Sequence, residues 1–447
     1  NECGSPWYKT VNQFFPHNMA DSQPLFIDIS QLRIGMHIHL DLGWMDHPFP
    51  MNSFTLRSQE QIDIVRSLGL ERVRFSPDKS DPEVLLQHIA EITAKQQPEQ
   101  SEVEVDSPEI VARRLRRDLL LSQRASLQVC ERQFADASRS YRQALETVHS
   151  QPSVSREQSE NLIRGFLAEI MGEHEACIRL LSENAGEKTS LHSINVTVIS
   201  LLLGKASGLI GQDLLDVGMG ALLHDLGKIE LPNRLRWSDE QFTASERSIY
   251  QEHVAHGVEL GQKMGLSKGA LLVIGQHHEL ADGKGYPQRI TEERMSLPSR
   301  IVALVNLYDN LCNPGNPGLA ITPHEALAQI FAQRKSQFHA ATLSQFVHMM
   351  GVYPPGSVVQ LSDERFALVV SVNSCRPLRP RIVIHDTQIP RDEALVIDLE
   401  DEPDIGIRRS LKPLQLPKNA FDYLSPRKRM CYFFERAREA PSPGESP

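Results

Sequence analysis

Five stretches between residues 187 and 310 place imidazoles and carboxylates in otherwise apolar sequence. His192 is followed by Ile194, Val196, Val198 and Ile199. His224-Asp225 closes the run LLDVGMGALLHDLGK, in which Leu215, Met219, Leu222 and Leu226 form a buried helical stripe and Gly227 is placed to stop it. His253 and His256 share the next helical run, His277-His278 opens HHELADGKGYP, and Asn306 and Asp309 lie in RIVALVNLYDNL. One histidine on such a helix is usually a satisfied core or surface residue. Six imidazoles and a carboxylate on Leu- and Val-rich helices are harder to satisfy. Burying each without a partner costs roughly 1–3 kcal/mol, and a metal ion satisfies several at once.

Neighbours on a regular helix sit about 100° apart. His224-Asp225 and His277-His278 are therefore expected to address separate cations about 3.5–4 Å apart, the separation used by two-metal hydrolases. Asp225 is the natural bridge. Mixed imidazole and carboxylate ligation suits Fe, Mn, Ni or Zn rather than Mg or Ca. The chemistry such a pair would support is metal-assisted hydrolysis by an activated water. No nucleophile elbow is present, and DGKGYP lacks the G-K-[ST] of a phosphate-cradling P-loop.

The strings HDLGK and HHELADGKGYP, in this order and with His192 and His253 in place, resemble the HD-GYP family of phosphohydrolases, within the HD superfamily of helical metal-dependent hydrolases. The match covers roughly residues 187–345. A small module before it and β-rich sequence after it resemble a subgroup with an N-terminal domain of unassigned function. The resemblance implies a phosphodiesterase that opens cyclic di-GMP to a linear dinucleotide, and onward to GMP, in bacterial second-messenger signalling. Implied metal ligands are His192, His224, Asp225, His253, His277, His278 and Asn306, holding two divalent transition ions, with Fe or Mn favoured and Ni or Zn as substitutes. Asp225 and Lys228 take the catalytic roles, Lys228 by contacting a substrate phosphate oxygen. Asp282, Gly283, Gly285, Tyr286 and Pro287 form a loop beside substrate that also serves as a docking surface for signalling proteins. His256 falls off the pattern and is read as a non-ligand.

Three departures shape the expectation. Many family members carry an acidic residue four positions before the first His, where it helps hold a third metal; here that position is Lys188, with Glu187 on another face, so two ions are expected. A D-x-x-D pattern commonly supplies the last ligand, and this chain reads Asn306 to Asp309, which offers a neutral carbonyl with Asp309 as support or substitute. The following segment, NPGNPGLAITP, has no cation where the family often grips a second phosphate. Two rival readings follow. One is an HD-type hydrolase of another nucleotide, such as a hybrid cyclic dinucleotide or guanosine tetraphosphate. The other is a weakly active sensing or scaffold module that works through the GYP loop.

The elements that must position these residues are mainly helical. The expected architecture is a mainly α, HD-type helical bundle with a small N-terminal α+β module and a small C-terminal β-appendage. Residues 1–23 read as a poorly ordered extension, 24–95 as the module, 96–107 as a linker, 108–184 as long helices broken at Pro152, 185–350 as the metal-binding core, 351–414 as a β-appendage of three or four strands, and 415–447 as a loose tail. Within the module, β-like runs at 26–29, 37–40 and 72–75 flank a helix over 58–68 that ends at Gly69. Arg113, Arg114, Arg116 and Arg117 read as a solvated helix face. The long helices over 108–184 offer a surface for pairing between chains.

With 447 residues, 40% hydrophobic and 23% charged, the chain has the composition of a multidomain globular protein. A net charge of -10 and a pI of about 6.0 argue against non-specific coating of nucleic-acid polymers. The six cysteines are widely spaced, with no C-x-x-C pair, and read as reduced thiols. The longest apolar run, Ile194 to Leu203, is half a membrane span and carries Asn195, Thr197 and Ser200. No secretory leader pattern opens the chain, so a cytoplasmic location is expected.

Overall fold

The apolar period of the central sequence is realised as helix wherever a cap is available. A computed structural model describes residues 25–42, 49, 51–81, 84, 108–172, 176–182, 188–237, 241–372 and 378–436. The chain divides into two compact units, Asn1–Val105 and Asp106–Pro447. The expected extension over 1–23 and linker over 96–107 lie outside the described residues, as do Glu187 and the Lys188 side chain.

In the first unit, β1 (Phe26–Asp28), β2 (His37–His39), β3 (Ser53–Thr55) and β4 (Arg72–Phe75) form an antiparallel sheet in the order β1-β4-β2-β3. Helix α1 (Gln59–Ser67) starts where the Ser58 side chain accepts from the Gln61 amide. Alternation puts Ile38, Val73 and Phe75 into a small core with Ile62 and Val65 of α1. β3 was not expected from the sequence: its three residues, Ser-Phe-Thr, are too few to carry a periodic signal.

The second unit opens with α2 (Pro108–Thr147), α3 (Pro152–Met171) and β5 (Ala176–Leu180). The helical core follows as α4 (Lys188–Ala206), α5 (Gly211–Leu223), α6 (Ala244–Gln251), α7 (His253–Met264), α8 (Lys268–Gln276), α9 (Leu297–Cys312), α10 (Pro323–Gln333) and α11 (Ala340–Met350). Capping boxes start α6 at Thr243 and α10 at Thr322. α4 is buried on all sides, with Ile194, Val196, Val198, Ile199, Leu201 and Leu203 each fully inaccessible. This explains why its longest apolar run resembles part of a membrane span; no described helix is long and apolar enough to cross one. The turn after α5 packs directly on α7. A Cβ on Gly227 would lie 1.9 Å from the His253 carbonyl oxygen, so only glycine permits that approach.

The rest of the chain is β6 (Val358–Leu361), β7 (Phe366–Val372), β8 (Arg381–Ile384), β9 (Val396–Asp398), β10 (Ile407–Leu411), α12 (Lys418–Leu424) and β11 (Tyr432–Arg436). With β5 these strands make one seven-stranded antiparallel sheet, β10-β6-β7-β5-β11, in which β7 also pairs β8 and β8 pairs β9. Alternate residues serve two cores. Val358, Leu368 and Val370 face the helices, while Val359, Leu361 and Val369 build a second cluster.

Two expectations are corrected here. The segment 108–184 is not wholly helical, because β5 sits within it and pairs β11 and β7. Residues 415–436 are not a loose tail, since α12 and β11 are ordered and Tyr432, Phe433 and Phe434 are buried in the main core. The Pro- and charge-rich flanks masked an aromatic strand whose pairing partner lies some 250 residues upstream.

Candidate metal centre

Three of the expected ligands arise at helix ends. The last carbonyls of a helix have no partner within it, and a histidine just beyond can donate to one. His224 follows α5 and its Nδ1 bonds the Ala221 carbonyl at 2.7 Å. His277 follows α8 and bonds the Ile274 carbonyl at 2.7 Å. His253 follows α6 and bonds the Tyr250 carbonyl at 2.5 Å. Each bond fixes the proton on Nδ1 and leaves a lone pair on Nε2. His192, within α4, reaches the same tautomer by another route: its Nδ1 donates to the Asp309 carboxylate at 2.6 Å.

The free Nε2 atoms converge. Those of His192 and His224 lie 3.1 Å apart, and the Asn306 carbonyl oxygen is 3.1 Å from the former. Asn310 donates to that oxygen at 2.7 Å and so orients the amide. Those of His253 and His277 lie 3.4 Å apart. The Asp225 carboxylate stands between the two pairs. Its Oδ2 is 3.4 Å from His224 and 3.7 Å from His192, and its Oδ1 is 3.6 Å from His253 and 3.9 Å from His277. Two groups of donors result, His192, His224 and Asp225 in a first cluster and Asp225, His253, His277 and His278 in a second, sharing Asp225.

Electrostatics keep these groups in their ligating forms. Burial pushes His253 down to about 4. Burial, with His224 and His253 beside it, holds His277 well below the usual imidazole range, and burial with His277 alongside does the same to His278. Burial alone would raise Asp225, but the Lys228 ammonium and the His224 ring outweigh it, so the carboxyl lies well below its usual range. Lone pairs that face one another at these distances, on neutral rings and an anion, repel. The Nε2 of His278 is buried with no hydrogen-bond partner. A divalent cation in each cluster resolves both problems, so the residues fit the metal.

Of the other expected site residues, Lys228, Gly285 and Tyr286 pack against the donor residues. Lys228 donates to Asp225 Oδ2 at 2.6 Å, and its ammonium lies 5.3 Å from the Tyr250 ring centre. Burial would lower the Lys228 pKa, but Asp225 overrides it and raises it. Tyr286 stacks on His278 with centroids 4.4 Å apart, and its amide donates to the His278 carbonyl at 3.1 Å. Gly285 has no room for a side chain, since a Cβ would meet the His278 oxygen at 2.5 Å, and Gly283 takes a left-handed φ of 72°. Asp282 is a loop former, its carboxylate accepting from the Lys284 amide at 3.1 Å. Pro287 is exposed at the loop tip.

Sequence reasoning missed Glu279. This fully buried carboxylate accepts from the amides of Gln288 at 2.6 Å and Ile290 at 3.2 Å and so ties the loop down. Its place directly after His277-His278 was the available signal. One expectation is revised: His277 and His278 belong to the same cluster rather than to separate ones. The helix ends at Gln276, so the 100° rule for neighbours does not govern the pair. His256, as expected, is in neither cluster; it sits half-exposed, 4.0 Å from Glu252.

Residues 175–341 match the HD domain model, and residues 25–159 match a domain of unknown function, DUF3391. The chain is similar to cyclic di-GMP phosphodiesterase PA4108 of Pseudomonas aeruginosa, at 25% identity over 80% of this chain and 84% of the relative. It is also similar to the cyclic di-GMP phosphodiesterase response regulator RpfG of Xanthomonas campestris, at 32% identity over 34% of this chain and 40% of the relative. A 3'3'-cGAMP-specific phosphodiesterase 3 of Vibrio cholerae is 29% identical over 28% of this chain and 27% of the relative.

Proposed function

The chain belongs to the HD-GYP family of HD-domain phosphohydrolases, and we propose that it is a metal-dependent phosphodiesterase that opens cyclic di-GMP to a linear dinucleotide. The observation that carries this reading is the shared Asp225 between two clusters of convergent imidazole donors. His192, His224, Asn306 and Asp225 would hold one divalent ion, and Asp225, His253, His277 and His278 the other; the mixed imidazole and oxygen donor set suits Fe, Mn, Ni or Zn, of which Fe or Mn is our choice.

Such ions supply Lewis acidity and lower the pKa of bound water toward about 7. The chain's own residues do the rest. Asp225, kept ionised by the Lys228 ammonium beside it, holds the clusters in register. Lys228, one hydrogen bond from Asp225, supplies positive charge for the non-bridging phosphate oxygens as charge builds in the transition state. Tyr286, pinned against His278, walls one side of the mouth and limits water entry. The exposed loop tip around Lys284 and Pro287 is the surface on which we place signalling partners.

The test is to incubate Mn- or Fe-loaded protein with cyclic di-GMP, 3'3'-cGAMP and guanosine tetraphosphate, and to identify products by mass spectrometry. A linear dinucleotide from cyclic di-GMP is expected. Preferential turnover of guanosine tetraphosphate would remove the cyclic-dinucleotide reading, and faster turnover of 3'3'-cGAMP would reassign the substrate within it. Lys228→Ala should slow turnover by about 10²-fold or more, as loss of a transition-state donor does, while metal content stays. Loss of metal in that variant would mean that Lys228 supports the cluster instead.

A further inference from the structure

The first cluster has a support that reaches outside the helical core. Asn195 lies one turn beyond His192 on α4, and Asn313 lies one turn beyond Asp309 at the end of α9. Asn195 is fully buried. Its amide nitrogen donates to Asp309 Oδ1 at 2.8 Å and to the Met430 carbonyl at 2.7 Å, while its oxygen accepts from the Tyr432 amide at 2.9 Å. Asn313 mirrors it. Its nitrogen donates to Asp309 Oδ1 at 2.9 Å and to the Met430 carbonyl at 2.9 Å, and its oxygen accepts from the Met430 amide at 2.8 Å.

Two amides therefore clamp one oxygen of Asp309, and the other oxygen is aimed at His192 Nδ1. The clamp itself is fastened to the backbone at 430–432, where the chain enters β11. That strand is anchored by the buried Tyr432 and Phe433 and by its ladder to β5. We propose that Asn195 and Asn313 are positioning residues through which the docked C-terminal strand orients His192 toward the metal. The inference rests on the metal-centre reading above. A carboxylate held behind a ligating imidazole sets its tautomer and basicity, and disturbing such partners typically weakens metal binding by about 10–100-fold. Among the described residues no comparable relay serves the second cluster, whose His253 and His277 lean on backbone carbonyls.

A purely structural pair of asparagines would satisfy the same backbone groups, so the experiment must separate the two roles. Mn²⁺ affinity is measured by chelator competition on full-length protein in a double-mutant cycle. In the His277→Ala background, which leaves the first cluster, adding Asn313→Ala should weaken the remaining ion about 10–100-fold. In the His192→Ala background nothing is left to position, and adding Asn313→Ala should leave the remaining affinity within about threefold, inside the usual scatter of independent sites. Asn195→Ala should repeat the pattern; if it does not fold, Asn313→Ala, at a helix end, carries the test. Equal weakening in both backgrounds, or none in either, overturns the positioning role. Wild-type protein binding fewer than two ions would overturn the metal-centre reading beneath it instead.

Discussion

The two donor clusters share Asp225 but are built from different materials. In the second, His253 and His277 are fully inaccessible and held by backbone carbonyls of the helices they follow. Their orientation is a by-product of helix termination and needs no distant residue. In the first cluster His224 has the same burial and backbone support, but the His192 side chain is 16% exposed. Its tautomer depends on a side chain, Asp309, and its remaining donor is the neutral carbonyl of Asn306. Burial and backbone support come together in two of the second cluster's three imidazoles, and in His224 alone of the first. The first has one fewer imidazole and a longer chain of dependencies, so the two ions should differ in affinity, with the first the weaker.

Removing the shared carboxylate should erase the distinction. Asp225→Asn keeps the shape but takes away the only anion common to both clusters. Metal content is expected to fall from two ions to one or none, with nearly all turnover lost and far-UV circular dichroism unchanged. Elemental analysis on the reconstituted variant reads this directly. Retention of both ions with normal turnover would sink the bridging role.

The next largest effect is on the metal-free protein, where the buried cluster costs stability in acid. His253 titrates at about 4 in the folded chain against 6.5 ordinarily. Between those values the unfolded chain binds more protons, so stability rises with pH. The contribution is complete above pH 6.5 and is lost as pH falls toward 4, amounting to on the order of 3 kcal/mol for this ring. Thermal melts in chelator across this range should show the decline, and His253→Gln should reduce it, with His277 and His278 carrying the rest. A melting temperature indifferent to pH between 6.5 and 4 would contradict the neutral burial of this ring.

Much of this contrast could be read before any coordinates, and the unread part has a common cause. His224, Asp225, His253, His277 and His278 were legible because each sits in a short string whose neighbours are local, and helix ends are local events. The helical core followed from periodicity and from caps such as Thr243 and Thr322. Asn195, Asn313 and β11 were not legible, because their partners lie 114 or more residues away along the chain or, for Asp309, have side-chain roles that spacing does not reveal. β5 and β11 are five residues each and acquire their identity only by pairing with one another. Asn306 was legible as a residue. That its carbonyl oxygen, and not the Asp309 carboxylate, stands beside His192 Nε2 required knowing that Asp309 is already engaged by His192 Nδ1, Asn195 and Asn313.

The smallest expected effect sharpens the comparison most. Asn306→Asp replaces a neutral carbonyl in the first cluster with a carboxylate of the same size, and Asn310 remains at 2.7 Å to donate to it. Ligand charge tunes divalent-ion affinity, so the first cluster should tighten by about tenfold, or roughly 1.4 kcal/mol. The second cluster, which Asn306 does not touch, should keep its affinity. A two-step Mn²⁺ titration with a competing chelator would show the steps drawing together. If instead the weaker step weakens further, repulsion from Asp225 and Asp309 outweighs the gain. The neutral side chain at 306 would then be what allows an aspartate to stand behind His192, with both features selected as a pair.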